Sequence, residues 1–206
     1  MPLPTPDEIL AGLADIASDN HSAAMIWHGA LLFVLVALAL GFRPYERHAR
    51  LALVFPLASV SAFSWSYGNP FNGMVFSISA VLLALMGAFG PTRHRVQGAS
   101  RPFAMAAFIL IALGGAYPHF SPNAPLWRLL YDSPFGLIPC PTLLVVIGLT
   151  LLGRGLGSFS WTVVSSVLGV FYGAFGGWRL GVTIDWVLVA GSLLLLLQGV
   201  RGRRLG

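Results

Sequence analysis

Six side chains in this sequence have types that could do chemistry: Cys140, Asp185, His28, His119, Asp132 and Arg179. Cys140 is the only cysteine and lies in Pro134-Phe-Gly-Leu-Ile-Pro-Cys-Pro-Thr142, a stiff stretch that runs straight into the apolar run Leu143–Leu152. Proline suits the first turn of a helix, where its missing N–H has no intrahelical partner. Pro139 and Pro141 therefore mark a helix start, with Cys140 among the free N–H groups. The partial positive charge there favours a thiolate, which could hold a soft metal or react; the plainer reading is a small thiol that packs. His119 and Asp132 share a loop on the same face, so His, Asp and Cys are ligand types that could meet, although nothing in their spacing is that of a zinc or copper site. His28 falls within an apolar run, where histidine is uncommon and marks a proton relay, a haem ligand or a helix–helix hydrogen bond. Asp185 is the one acid inside an apolar run. It either complements a helix dipole and pairs with Arg179, or forms a cation or proton site facing the interior.

The elements that carry these residues are membrane helices. Of 206 residues, 56% are hydrophobic and 9% charged, against roughly 25% charged in soluble domains, and the mean hydropathy is +0.79. Seven apolar runs are expected to span, at about 23–42, 51–67, 74–89, 103–117, 139–152, 159–178 and 182–200, a span needing about 20 residues. That leaves no length for a soluble catalytic domain. The fold class expected is all-α and polytopic, with seven transmembrane helices in one domain over residues 1–206. Pro56 predicts a kink near the start of the second span. The loop around residues 118–138 is the longest.

The net charge of +5 comes from twelve arginines with no lysine. The absence of lysine excludes a retinal Schiff base. A single cysteine excludes an internal disulfide or a CxxC pair. Ten of the twelve arginines fall in loops after spans one, three and five and in the tail, the other two being Arg128 and Arg179. The positive-inside rule then places the C-terminus in the cytoplasm and the N-terminus outside, and accounts for the basic charge without nucleic acid. Residues 1–21 carry Asp7, Glu8, Asp15 and Asp19 and no arginine, so they do not read as a signal peptide. Thr5-Pro6-Asp7-Glu8 instead forms a capping-box pattern, followed by Ile9, Leu10, Leu13, Ile16 and Ala17 at helical spacing. This predicts a short amphipathic helix, lying on the membrane or on the loops of the bundle. Ser165, Gly169, Gly173 and Gly177 are four apart and give span six a face of small residues for close helix packing. The serines of span two, Ser59, Ser61, Ser64 and Ser66, suit interhelical hydrogen bonds. Gly153-Arg-Gly-Leu-Gly157 lacks the strand–turn–helix setting of a nucleotide loop.

Phe135-Gly-Leu-Ile-Pro-Cys-Pro-Thr142, followed by Gly148-Leu-Thr-Leu-Leu152, resembles the signature of a bacterial integral membrane family catalogued as domain of unknown function 6064. Pro2-Leu-Pro-Thr5, Ile26-Trp27, Tyr117-Pro118 and Gly181-Val-Thr-Ile-Asp185 follow in the matching order, so the likeness covers nearly the whole chain. Members often have proline after the tryptophan, where this chain has His28. The family has no assigned activity; the resemblance implies a multi-pass protein of the bacterial inner membrane, and members are sometimes labelled permeases.

Three functions are compatible with these observations. One is small-solute or ion transport or binding from the outer face, with Asp185, His28 and Cys140 near an outward cavity. Another is an accessory or structural subunit of a larger membrane complex, with a filled bundle and a broad apolar face. The third is a metal- or haem-binding protein, with His28, His119, Asp132 or Cys140 within coordination distance. The first is preferred. No Ser/His/Asp or Cys/His arrangement has catalytic spacing, so no enzyme is expected, nor any cofactor, and the partners expected are the lipid bilayer, a small solute or ion, and a membrane-complex partner.

Overall fold

The computed structural model describes residues 4–90, 94–120 and 125–204. The expected loop arginine Arg93 and the first residues of the Pro2–Thr5 segment lie outside the described residues. Nine α-helices are described: α1 (Pro6–Asp19), α2 (His21–Ala39), α3 (Glu46–Ser66), α4 (Pro70–Phe89), α5 (Arg101–Gly115), α6 (Leu126–Asp132), α7 (Pro139–Leu152), α8 (Phe159–Ala174) and α9 (Asp185–Arg204). Short 3-10 turns follow α5 and α7, and α8 runs into a π-turn at Phe175–Arg179. Among the described residues there is no strand, only an isolated bridge between Tyr45 and Arg95. Six helices are long and apolar enough to cross a membrane; α7, at 14 residues, is a shorter apolar helix.

The capping box of α1 is formed: the Thr5 hydroxyl accepts from the Glu8 amide, and the Glu8 carboxylate accepts from the Thr5 amide. Its apolar stripe, Leu13, Ile16 and Ala17, is buried. Leu13 and Ile16 pack on Leu137 and Ile138 of the corner before α7 and on Ala24 of α2. The helix thus lies on the bundle's own corner, covering one end of it.

Helix α7 is the axis of the molecule. Eleven of its residues are buried, and it packs against α5, α8, α9 and α3. An apolar helix enclosed on every side shows no amphipathic stripe. Close approach to α5 depends on small residues: a methyl group on Gly148 would come within 2.7 Å of Ile111, and one on Gly114 within 2.6 Å of the Pro141 carbonyl. Thr142 ties the corner to the helix. Its hydroxyl donates to the Ile138 carbonyl at 2.7 Å and accepts from the Gly136 amide at 2.9 Å. Gly136 has φ +80° and lies against the Trp27 indole, so a side chain is excluded there both by conformation and by space. The other end of α7 is held by the Leu152 carbonyl, which accepts from the Ala99 amide, and by Gln198 of α9, which donates to the Leu151 carbonyl.

Several boundaries differ from the sequence reading. Helix α3 begins at Glu46, taking Arg47 and Arg50 out of the loop. Arg50 is fully buried and donates to the Leu156 carbonyl at 3.0 Å, a use of arginine that charge counting misses. Helix α3 continues through Pro56. The long loop contains α6 and a 3-10 turn. Asp185 is the first residue of α9 rather than one turn inside it. The small-residue face of α8 packs on α9: methyl groups on Gly169 and Gly173 would overlap Ser192 and meet Val189 at 2.8 Å, and Ser165 is buried. Gly177 lies in the π-turn against Trp186. The serines of α3 make interhelical bonds, Ser61 to Ser77 at 2.7 Å and to the Gly73 carbonyl at 2.8 Å, while Ser59 accepts from Trp27 at 3.0 Å.

Candidate functional site

The corner before α7, the turn after α5 and the start of α9 meet at the end of the bundle that α1 covers. Between them lies a cavity of about 670 Å³. Its wall includes Asp185, Tyr117, Cys140, Tyr172 and Asn72, and its rim includes Glu8 of α1 and Arg179 of the π-turn.

Asp185 is 1% exposed. Tyr117, which follows α5, donates its hydroxyl to Asp185 Oδ1 at 2.7 Å, and the Cys140 thiol lines the same cavity. The other carboxylate oxygen rests against Gly176, where any side chain would overlap it. Gly176 stands in the π-turn Phe175–Arg179. Such turns re-aim the backbone at the end of a helix; here the extra residue brings a bare Cα to the carboxylate. The Gly176 carbonyl accepts from the Val182 amide, and the Val182 carbonyl accepts from the Asp185 amide, so the connection between α8 and α9 is folded back onto the site. Behind it, Tyr172 donates to Asn72 Oδ1 at 2.9 Å, joining α8 to α4, and its own carbonyl lies 4.0 Å from the Cys140 sulfur. Aromatic rings line the rest of the cavity: Tyr67, Phe71, Tyr117, Phe120 and Phe175.

The structure brings Cys140 and Asp185 together and puts Arg179 at the rim of the same cavity. It does not pair Arg179 with Asp185, because Arg179 is exposed beyond the π-turn while Asp185 turns inward to Tyr117. His28 is elsewhere. Its Nδ1 and Nε2 each lie 2.8 Å from a backbone carbonyl oxygen, of Ala24 and Gly115, so it joins α2 to α5. His119 is exposed and packs edge-on against Phe120. Asp132 pairs with His21 and with Arg128, the latter at 3.1 Å. The four expected ligand types therefore have separate partners, and among the described residues no group of three or more His, Cys, Asp or Glu side chains is placed to hold a metal.

Tyr172 and Asn72 are site residues that the sequence reading did not single out, and Tyr117 entered it only through the Tyr117-Pro118 resemblance. Tyr117 sits 68 positions from Asp185, at the end of a span where a tyrosine is read as an interfacial aromatic. No local pattern marks it otherwise. No family model, curated protein or solved structure matches the chain.

Proposed function

We propose that the protein binds, and carries across the membrane, a small amine-bearing solute or cation taken up in the Asp185 cavity from the side covered by α1. One observation carries this reading: a buried carboxyl with a tyrosine hydroxyl neighbour but, among the described residues, no cationic partner lines a cavity that also holds a thiol and is otherwise walled largely by aromatic rings. An intramembrane acid without an internal counter-charge is costly to keep and is the group that a cation or proton would complete. Tyrosine and phenylalanine faces favour the same ligand through cation–π attraction. Arg179 at the rim would accept the carboxylate of a zwitterionic solute. A volume of 670 Å³ falls within the range of small-molecule sites.

The same proposal counts α7 as a seventh crossing, places the α1 end outside and the arginine-rich end in the cytoplasm, and assigns the protein to the bacterial inner membrane. The arginine distribution supports the orientation, and the Phe135–Thr142 corner supports the family resemblance. The reading is of a binding and transport protein, not an enzyme.

The test is electrical. Purified protein in liposomes on a supported membrane is given steps of proton, sodium, methylammonium or glycine concentration. The wild type is expected to give a transient current with at least one probe, and Asp185→Asn none. The reading fails if the wild type is silent to all four or if Asp185→Asn carries the wild-type current.

A further inference from the structure

A second and larger void runs along the side of the molecule, between α2 and the body of the bundle, and opens toward the arginine-rich end. Helix α2 is held mainly by its first two-thirds: Ala24 and Leu31 are buried, Trp27 bonds to Ser59, His28 bonds to Gly115, and Leu35 packs on the Leu31 cluster. Beyond Leu35 it stands away, leaving a lateral groove of about 1160 Å³ whose far wall is Ala52, Phe55 and Pro56 of α3 with Leu149 and Leu152 of α7. From Trp27 to Phe42 the groove runs about 22 Å at 1.5 Å per residue, longer than the roughly 15 Å of hydrocarbon in one leaflet.

The arginine-rich end of the groove is polar. Arg43, Tyr45, His48 and Arg95 line it there. Arg43 donates to the Leu38 and Phe42 carbonyls, and Arg95 donates to the Arg43 carbonyl while lying 5.2 Å over the Tyr45 ring. Both are exposed, and among the described residues neither pairs with a carboxylate.

We propose that this groove holds one anionic phospholipid, with its phosphate on Arg43 and Arg95 and an acyl chain laid along α2. Two cations at the mouth of an apolar slot match a phosphate above a hydrocarbon tail, and basic pockets between membrane helices bind anionic head groups in this way. The two exposed cations at its mouth, in place of an apolar rim, favour a lipid over a partner helix or a second copy.

Native mass spectrometry of protein taken from vesicles of equal phosphatidylglycerol and phosphatidylethanolamine tests this directly. One phosphatidylglycerol per chain is expected, preferred about thirtyfold, from roughly 1 kcal/mol for each arginine. The preference is expected to vanish in the Arg43→Gln/Arg95→Gln variant, and the retained lipid to be lost in Ala52→Trp, which fills the groove. Equal retention of the two lipids by the wild type overturns the proposal without recourse to any variant. So does an unchanged preference in the arginine variant, or a lipid-free dimer in place of the lipid adduct.

Discussion

Replacing Gly176 by alanine tests the geometry of the carboxylate site most sharply, because two effects oppose each other and the structure says which wins. By helix propensity alone, Gly→Ala stabilises by about 1 kcal/mol. At this position the new Cβ would lie 2.8 Å from the Asp185 carboxyl carbon and closer still to Oδ2, where ordinary contact begins near 3.4 Å. The carboxyl must retreat by at least about 0.6 Å, which would stretch the 2.7 Å bond from Tyr117 to about 3.3 Å, beyond the usual O–H···O range. Overpacking costs about 1–3 kcal/mol, and a buried hydroxyl without its acceptor another 1–3 kcal/mol or so. The net is about 3 kcal/mol against folding, opposite in sign to propensity and on the order of a hundredfold in the folded ratio. The assay is reversible unfolding in detergent, run as a double-mutant cycle with Asp185→Ala. Without the carboxyl the methyl meets only the Cβ of residue 185, at 3.1 Å, so Gly176→Ala should then be close to neutral, with a coupling of about 2 kcal/mol or more. A Gly176→Ala variant as stable as the parent, or one equally costly with and without Asp185, would refute the placement of the carboxylate.

Three further outcomes are expected. Cys140 lines the cavity beneath α1, so a membrane-impermeant maleimide should label it from the α1 side, faster when Leu13→Ala and Ile16→Ala loosen that helix; labelling only from the arginine-rich side would reverse the orientation. The Thr5 amide and hydroxyl hold the Glu8 carboxyl below its ordinary value of 4.5, so the folded cap binds its proton less readily than the unfolded chain does. The cap's contribution is therefore complete above pH 4.5 and is lost as pH falls through the lower folded value; hydrogen exchange of the α1 amides should rise over that window in the parent and show no such step in Glu8→Gln. Replacing His28 by phenylalanine keeps a ring beside Phe135 but removes both nitrogens from the Ala24 and Gly115 carbonyls, and should lower stability by about 1–3 kcal/mol, whereas an unchanged unfolding curve would show that the histidine does not tie α2 to α5.

What was legible in the sequence was whatever is written locally. Thr5 and Glu8 are three residues apart and specify their own cap; Pro139 suits a helix's first turn; the run of small residues from Ser165 to Gly173 has the spacing of one helix face and packs on α9 as such a face must. What escaped was set by partners distant in the chain. Arg50 reads as one more loop arginine, because charge counting knows nothing of the Leu156 carbonyl, whose residue has a left-handed φ of 52° and lies in a turn that needs an external donor. Leu126–Asp132 is too short for a period to show. Asp185 was visible as an anomaly, but the pairing with Arg179, one of its two readings, rested on nearness in sequence, and the structure does not form it. The π-turn between them turns the arginine out to the rim while the carboxyl turns in, and π-turns leave no residue signature.

On the proposal that α7 is a seventh crossing, its shortness would put the cavity within the membrane depth rather than at the surface. Fourteen residues at 1.5 Å span about 21 Å, some 9 Å less than the hydrocarbon core. Such a crossing would leave the backbone at one or both of its ends non-helical below the membrane surface, which is tolerated only when enclosed by protein or lining a cavity. Each end meets that condition differently. After Leu152 the chain turns through Leu156, whose carbonyl is taken by the buried Arg50. Before Pro139 the Gly136 amide is taken by Thr142, and the Ser133 hydroxyl accepts from the Tyr117 amide while donating to the Gly114 carbonyl. That second set of bonds is what fixes Tyr117 beside the corner, and Tyr117 in turn holds Asp185. Satisfying the backbone at the start of α7 thus builds the wall on which the carboxylate is mounted. Lengthening α7 at its start by a helical turn should accordingly dismantle the site even where the bundle still folds.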